Sequence, residues 1–268
     1  MSSVDVSRSV TVPEFRAAKA RGAKLAVVTA YDYTSAKLCD AAGVDAILVG
    51  DSLGMVVQGH PTSLPVTLDE MIYHTKCVVR GVKHAMVVAD MPFLTYQVSP
   101  RQAVKNAGRL LKEAGAHAVK LEGGVRMRAT VKACIDAGIP VMGHVGLTPQ
   151  AVHQLGGFKV QRDGVALLAD AIAVEEAGAF SVVVESVPAA IGAEITAAVK
   201  IPTIGIGAGV NCDGQVLVFH DMMGLFPDFK PKFAKRYVDL GTAVKQAVET
   251  YCKEVREGSF PAAEHSFR

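Results

Sequence analysis

Short apolar runs, each the length of a β-strand, recur along nearly the whole chain. Between most of them lies a longer segment with apolar residues at helical spacing. The runs are KLAVVTA (24–30), AILVGD (46–51), MVVADM (86–91), AVKLEG (118–123), PVMGHV (140–145), SVVVES (181–186), PTIGIGAG (202–209) and QVLVFHD (215–221). Most are continuous in Val, Ile and Leu, as strands of a parallel sheet covered on both faces are. Regular strand–helix alternation predicts an α/β fold, a single-domain (β/α)8 TIM barrel over residues 1–268. An open doubly wound sheet is the alternative, because strand order is not written in a sequence.

The intervening segments carry helix punctuation. Thr67 and Glu70 stand at capping-box spacing. Ser99 and Pro100 read as N-cap and first helical residue, and Gly115 closes the helix that follows. The segments RATVKACIDAG and VALLADAIAVEEAG also end in glycine, at Gly138 and Gly178. Two pieces fall outside the repeat. Residues 1–23 include VPEFRAAKARG, expected to form a short helix that caps the barrel bottom. After the last strand, Phe233, Tyr237, Leu240, Val244, Val248, Cys252 and Val255 fall on one helical stripe, expected to pack on the sheet as the last barrel helix. Residues 258–268 read as a polar tail.

Composition excludes several classes. A formal net charge of +2, with basic residues scattered, gives no footprint for nucleic acid. No apolar run reaches the length of a membrane span, and the N-terminus has no signal-peptide core. The five cysteines are far apart and form no C-x-x-C pair. That favours reduced thiols in a cytoplasmic protein over disulfides or zinc.

Chemistry is expected at the C-terminal ends of the barrel strands. Strand two ends in Asp51 and Ser52, strand three in Asp90, strand four in Lys120 and Glu122; strand five carries His144, and strand six ends in Glu185. Lys120 and Glu122 are two apart, so they share one face of a strand that should be buried, and there they would neutralise each other. An isolated buried carboxylate is expensive, and several on one spot repel each other unless a cation lies among them. Asp51, Asp90 and Glu122 offer only hard oxygens, which suits Mg2+, with Mn2+ or Co2+ as substitutes, over Zn2+. Taken singly, each acid also reads as a helix cap. Lys120 suits either a Schiff base or a substrate carboxylate. Glu185, in apolar surroundings, suits a general base or a structural ion pair. His144 reads as a core histidine or as a donor to substrate. The glycines of Gly205–Gly209 suit a turn or a phosphate loop, and GGF at 156–158 suits a loop over the mouth.

An ordered set of motifs goes further. TAYDYTSAKL (29–38), VGDSLGMVVQGHPTSLPVTLDEM (49–71), ADMPF (89–93), VKLEGG (119–124), GHVGLTPQ (143–150), VESVP (184–188), IGIGAG (204–209), DGQVLVFHDMMG (213–224) and the terminal FP…EHSF resemble the ketopantoate hydroxymethyltransferase family, from about Thr11 onward. VGDSLG alone is also similar to the phosphoenolpyruvate mutase and isocitrate lyase group, whose Mg2+-dependent lyases and mutases are the alternative function. The resemblance implies a TIM barrel that transfers a hydroxymethyl group from 5,10-methylenetetrahydrofolate to 3-methyl-2-oxobutanoate in pantothenate synthesis. It implies Asp51, Asp90 and Glu122 as Mg2+ ligands, direct or through water. It also implies Asp51, Ser52, Asp90 and Lys120 as keto-acid contacts, His144 in the substrate-side motif, Glu185 as proton acceptor, and a homodecamer. Ser186 departs from the cysteine often found in the family at that position.

Overall fold

In the computed structural model, residues 9–226 and 231–267 are described. Eight parallel strands close into a barrel in sequence order: β1 (Leu25–Thr29), β2 (Ala46–Val49), β3 (Met86–Asp90), β4 (Ala118–Glu122), β5 (Val141–Gly146), β6 (Ser181–Glu185), β7 (Thr203–Ile206) and β8 (Gly214–Leu217). Each expected run contains a strand. The open sheet is ruled out by pairing of β1 with β8, with Val27 opposite Val216.

The longer helices are α1 (Val12–Ala17), α2 (Tyr33–Ala41), α3 (Leu68–Gly81), α4 (Pro100–Ala114), α5 (Arg128–Asp136), α6 (Gly164–Glu176), α7 (Ala189–Ala198) and α8 (Leu240–Glu257). Their ends follow the sequence punctuation. Thr67 and Glu70 form the capping box of α3. Ser99 accepts the Gln102 N–H at the start of α4, and Gly115 ends it in the left-handed conformation that costs a glycine little. β7 and β8 are joined by residues 207–213 without a helix, a departure from strict alternation.

Contacts divide the chain into two compact units, residues 1–218 and 219–268. In the first, the barrel interior is filled at the bottom by Leu25, Val27, Ala46, Leu48, Met86, Val88, Ala118, Met142, Val183, Ile204 and Val216, with Phe15 of α1 among them. Phe15 meets Phe180 edge to face, with ring centroids 5.8 Å apart. The capping role expected of the first helix is thus filled by one buried aromatic ring.

The end of the barrel corrects one expectation. The run 215–221 is not strand throughout: β8 stops at Leu217, and Phe219–Met222 turns helical. In α8 none of the residues is buried, and Val244, Val248, Tyr251 and Val255 are exposed. The helical stripe runs along α8 from Leu240. No described helix is long and apolar enough to cross a membrane. All five cysteines are free thiols.

Candidate active site

The period of two along a strand carries the core pattern upward into the site. On β4, Ala118 lies in the bottom core, so Lys120 and Glu122 stand above it inside the barrel. By the same count Asp90 stands above Met86 and Val88 on β3, His144 above Met142 on β5, and Glu185 above Val183 on β6. Asp51 arrives differently. Ala46 and Leu48 are the inward residues of β2, and Asp51 enters from the turn beyond it. Gly50 makes that turn possible: a Cβ there would lie 2.8 Å from Ser52 Oγ.

These side chains form one connected cluster. Asp51, Asp90, Lys120, Glu122 and His144 are 3–6% exposed. The Asp51 N–H donates to Asp90 Oδ2 at 3.0 Å. Lys120 Nζ lies 3.0 Å from Asp90 Oδ1 and 3.1 Å from His144 Nδ1. His144 Nε2 lies 3.1 Å from Glu185 Oε2. Ser52 Oγ is 2.8 Å from the Tyr31 hydroxyl at the end of β1.

One expected pairing changes. Lys120 and Glu122 share a face, yet the close ion pair of Lys120 is with Asp90 on β3. Same-face residues on one strand stand nearly 7 Å apart along the chain, whereas neighbouring strands are about 4.8 Å apart. The register sets Asp90 beside Lys120 and Glu122 beside His144.

Burial sets the protonation states. It raises the proton affinity of Asp51, which the Lys120 charge and a hydrogen bond from Gln150 oppose. Burial pushes the Asp90 carboxyl up to about 7, with Lys120 opposing and Asp51 reinforcing. Burial also raises Glu122 well above the carboxylate range, against the pull of Lys120. For Lys120 burial acts downward, but the charges of Asp90, Glu122 and Asp51 outweigh it, so the ammonium is held more firmly than in water. Burial and then the Lys120 charge keep His144 neutral. A protonated Lys120 can only donate to Nδ1, so the His144 proton sits on Nε2, facing Glu185. Burial pushes the Glu185 carboxyl up to about 7, tempered by Lys120.

Gln150, in the turn Pro149–Ala151 after β5, was quoted in a motif but given no role by the sequence. Its side-chain N–H groups donate to Asp51 Oδ2 and to the Met91 carbonyl, both at 2.9 Å. Its backbone N–H donates to Glu122 Oε2 at 3.0 Å. The Tyr96 hydroxyl donates to Gln150 Oε1 at 2.7 Å and accepts the Glu122 N–H at 3.0 Å. An uncharged amide leaves no mark in a charge pattern; the one available signal was a polar residue directly after a strand at the barrel mouth.

Among the described residues, no three His, Cys, Asp or Glu side chains close around a point as a preformed metal cage. Asp51 and Asp90 are neighbours, while Glu122 is turned to Gln150 and lies 3.6 Å from His144 Nδ1. Three buried acids against the single charge of Lys120 nevertheless leave an excess of negative charge when all are ionised. An oxygen-only set with that excess fits a hard divalent cation that keeps most of its shell as water.

The chain is similar to known proteins in fold and in sequence. A solved phosphonopyruvate hydrolase superposes with a TM-score of 0.64 over 97% of this chain and 92% of its own, at 15% identity, a likeness of fold. The 3-methyl-2-oxobutanoate hydroxymethyltransferase of Moorella thermoacetica is 59% identical over 263 residues, 97% of this chain and 98% of that protein. Its namesake in Clostridium beijerinckii is 55% identical over 262 residues, 96% of this chain and 95% of that protein. The family model of ketopantoate hydroxymethyltransferase matches residues 9–263. By its match to the family model over residues 9–263 and its identity to these relatives over nearly its whole length, the chain belongs to the ketopantoate hydroxymethyltransferase family.

Proposed function

We propose that this chain transfers the one-carbon unit of 5,10-methylenetetrahydrofolate to 3-methyl-2-oxobutanoate, forming 2-dehydropantoate in pantothenate and coenzyme A synthesis. Membership of the family supports the reaction. The observation that carries the assignment of roles is Glu185, a carboxylate held near neutrality at the open side of a cluster that holds its own cation.

Asp51, Asp90 and Glu122 would hold Mg2+, directly or through water, and the ion would supply Lewis-acid polarisation of the substrate. Lys120, fixed as an ammonium by the surrounding acids, gives the substrate carboxylate a point charge. A firmly protonated amine is a poor nucleophile, which favours this role over a Schiff base. Ser52, steadied by Tyr31, adds a hydroxyl beside Asp51.

Glu185 takes the proton from C3 of the keto acid and becomes the neutral acid. Its proton affinity, matched to neutral pH, is what an efficient general base requires. His144 stays neutral and places Nε2 3.1 Å from Glu185 Oε2, beside the base without sharing its charge. The electron pair left at C3 attacks the methylene carbon of the folate, a carbon–nitrogen bond breaks, water supplies the hydroxyl group, and tetrahydrofolate leaves.

The protein is further read as a cytoplasmic homo-oligomer. The exposed apolar residues of α8 support association of copies, and light scattering would show it. The central test supplies both substrates with and without EDTA. Product that forms, stops with EDTA and returns with Mg2+ is the expected result. Turnover indifferent to EDTA would remove the metal from the reaction, and absence of 2-dehydropantoate would remove the reaction itself.

A further inference from the structure

Gln150 is the most heavily bonded side chain of the cluster and has no chemistry of its own. Its amide uses two donors and two acceptor sites: Asp51 Oδ2, the Met91 carbonyl, the Tyr96 hydroxyl and Gln97 Nε2, at 2.7–2.9 Å. That is the full capacity of a carboxamide. Its orientation is not ambiguous, because the Met91 carbonyl and the Asp51 carboxylate both need the NH2 end. The residue is 6% exposed, so each bond is made where water cannot replace it and a broken bond leaves a buried group unpaired.

The position matters as much as the count. Through one residue of the loop after β5, the ends of three other strands are tied together. The side chain holds Asp51 beyond β2 and Met91 beyond β3, and the backbone N–H holds Glu122 at the end of β4. Gln150 therefore anchors one oxygen of Asp51 and one of Glu122, and with them the orientation of both carboxylates. Tyr96 locks the arrangement from behind, since it bonds both to Gln150 and to the backbone of Glu122.

We propose that Gln150 is a positioning residue that fixes the carboxylates of Asp51 and Glu122 as a pair, and thereby sets the affinity of the site for a divalent cation and for the keto acid, without taking part in proton transfer. The inference rests on the cation-assisted reading above. Outer partners of metal-binding side chains typically change metal affinity about 10- to 100-fold when removed.

The test compares wild type with Gln150→Met, which keeps the length and loses every side-chain hydrogen bond. Mn2+ binding to the substrate-free protein, read by electron paramagnetic resonance, is expected to weaken about tenfold or more. The KM for the keto acid is expected to rise by a similar factor. The rate of C3–H exchange into D2O at saturating cation and keto acid is expected to stay within about threefold of wild type, as for a residue outside the proton transfer. Unchanged Mn2+ affinity and KM would overturn the proposal. So would a large loss of exchange at saturation, which would place Gln150 in the chemistry.

If Gln150→Met does not fold, Tyr96→Phe carries the test, with the same direction and a smaller size expected and no change in either constant overturning it. Wild type that binds no Mn2+ and ignores EDTA sinks the metal reading instead. The keto-acid KM of the variant then decides alone: a rise sustains the positioning role and an unchanged value ends it.

Discussion

Glu185 offers the sharpest test of how the site works. Burial raises its carboxyl from 4.5 to about 7. As a base it must be ionised, so the ionised fraction climbs from about one tenth near pH 6 to about nine tenths near pH 8. Exchange of the C3 hydrogen of 3-methyl-2-oxobutanoate into D2O, followed by NMR without folate, should rise about ninefold over that window. The same shift has a stability consequence of fixed sign. The native state binds this proton more tightly than the unfolded chain does. The contribution is therefore fully present below the unfolded value of 4.5 and lost as pH rises through about 7. The span corresponds to roughly 3 kcal/mol at most.

Glu185→Gln cannot ionise and keeps nearly the same shape. It should abolish exchange, and near pH 8 it should melt several degrees above wild type, with the gap closing toward pH 5. An exchange rate flat to within twofold between pH 6 and pH 8, or a variant that still exchanges normally, would refute the assignment of the base. Equal melting at pH 8 would refute the claim that burial holds the proton.

Two further perturbations test the scaffold around it. Lys120→Met removes the close cationic partner of Asp90 and leaves buried carboxylates uncompensated. Urea unfolding at neutral pH should show a loss of about 3–5 kcal/mol, and keto-acid binding should fail with it; a variant as stable as wild type would contradict the ion-pair account. Gly146 has φ of +95°, and a Cβ there would lie 2.2 Å from the Glu185 carbonyl oxygen. Gly146→Ala should cost about 2 kcal/mol or more in a thermal melt and slow C3 exchange by displacing the base, and normal values of both would show that the strand ends yield more easily than this geometry implies.

Some of this was legible in the residues. Eight apolar runs, the capping pairs Thr67/Glu70 and Ser99/Pro100, and the closing glycines reflect local rules, because turns of helix and pleats of strand repeat within a few residues. Periodicity of two also sufficed to place Lys120 and Glu122 on one face. The outer limit of β8 was not legible, since QVLVFHD is apolar beyond Leu217 and hydropathy alone does not tell a strand from a helical turn. The stripe on α8 was legible as a stripe, but a periodic apolar face says that something covers it and not what.

The sequence by itself determined the strand–helix repeat and the polar residue types that stand at the strand ends, while closure of the sheet was decided by the pairing of β1 with β8. Only the tertiary structure decided who meets whom. Lys120 pairs with Asp90 rather than with Glu122, His144 stands between Lys120 and Glu185, and Gln150 binds the acids of two strands at once. The physical reason is the register of a closed sheet. Spacing along one strand is fixed by its own backbone, but the neighbour across the barrel is set by how all eight strands tilt and stagger to close. That closure brings residues 51, 90, 120, 144, 150 and 185 to hydrogen-bonding or ion-pair distance from one another across about half the chain's length, and no local pattern records it.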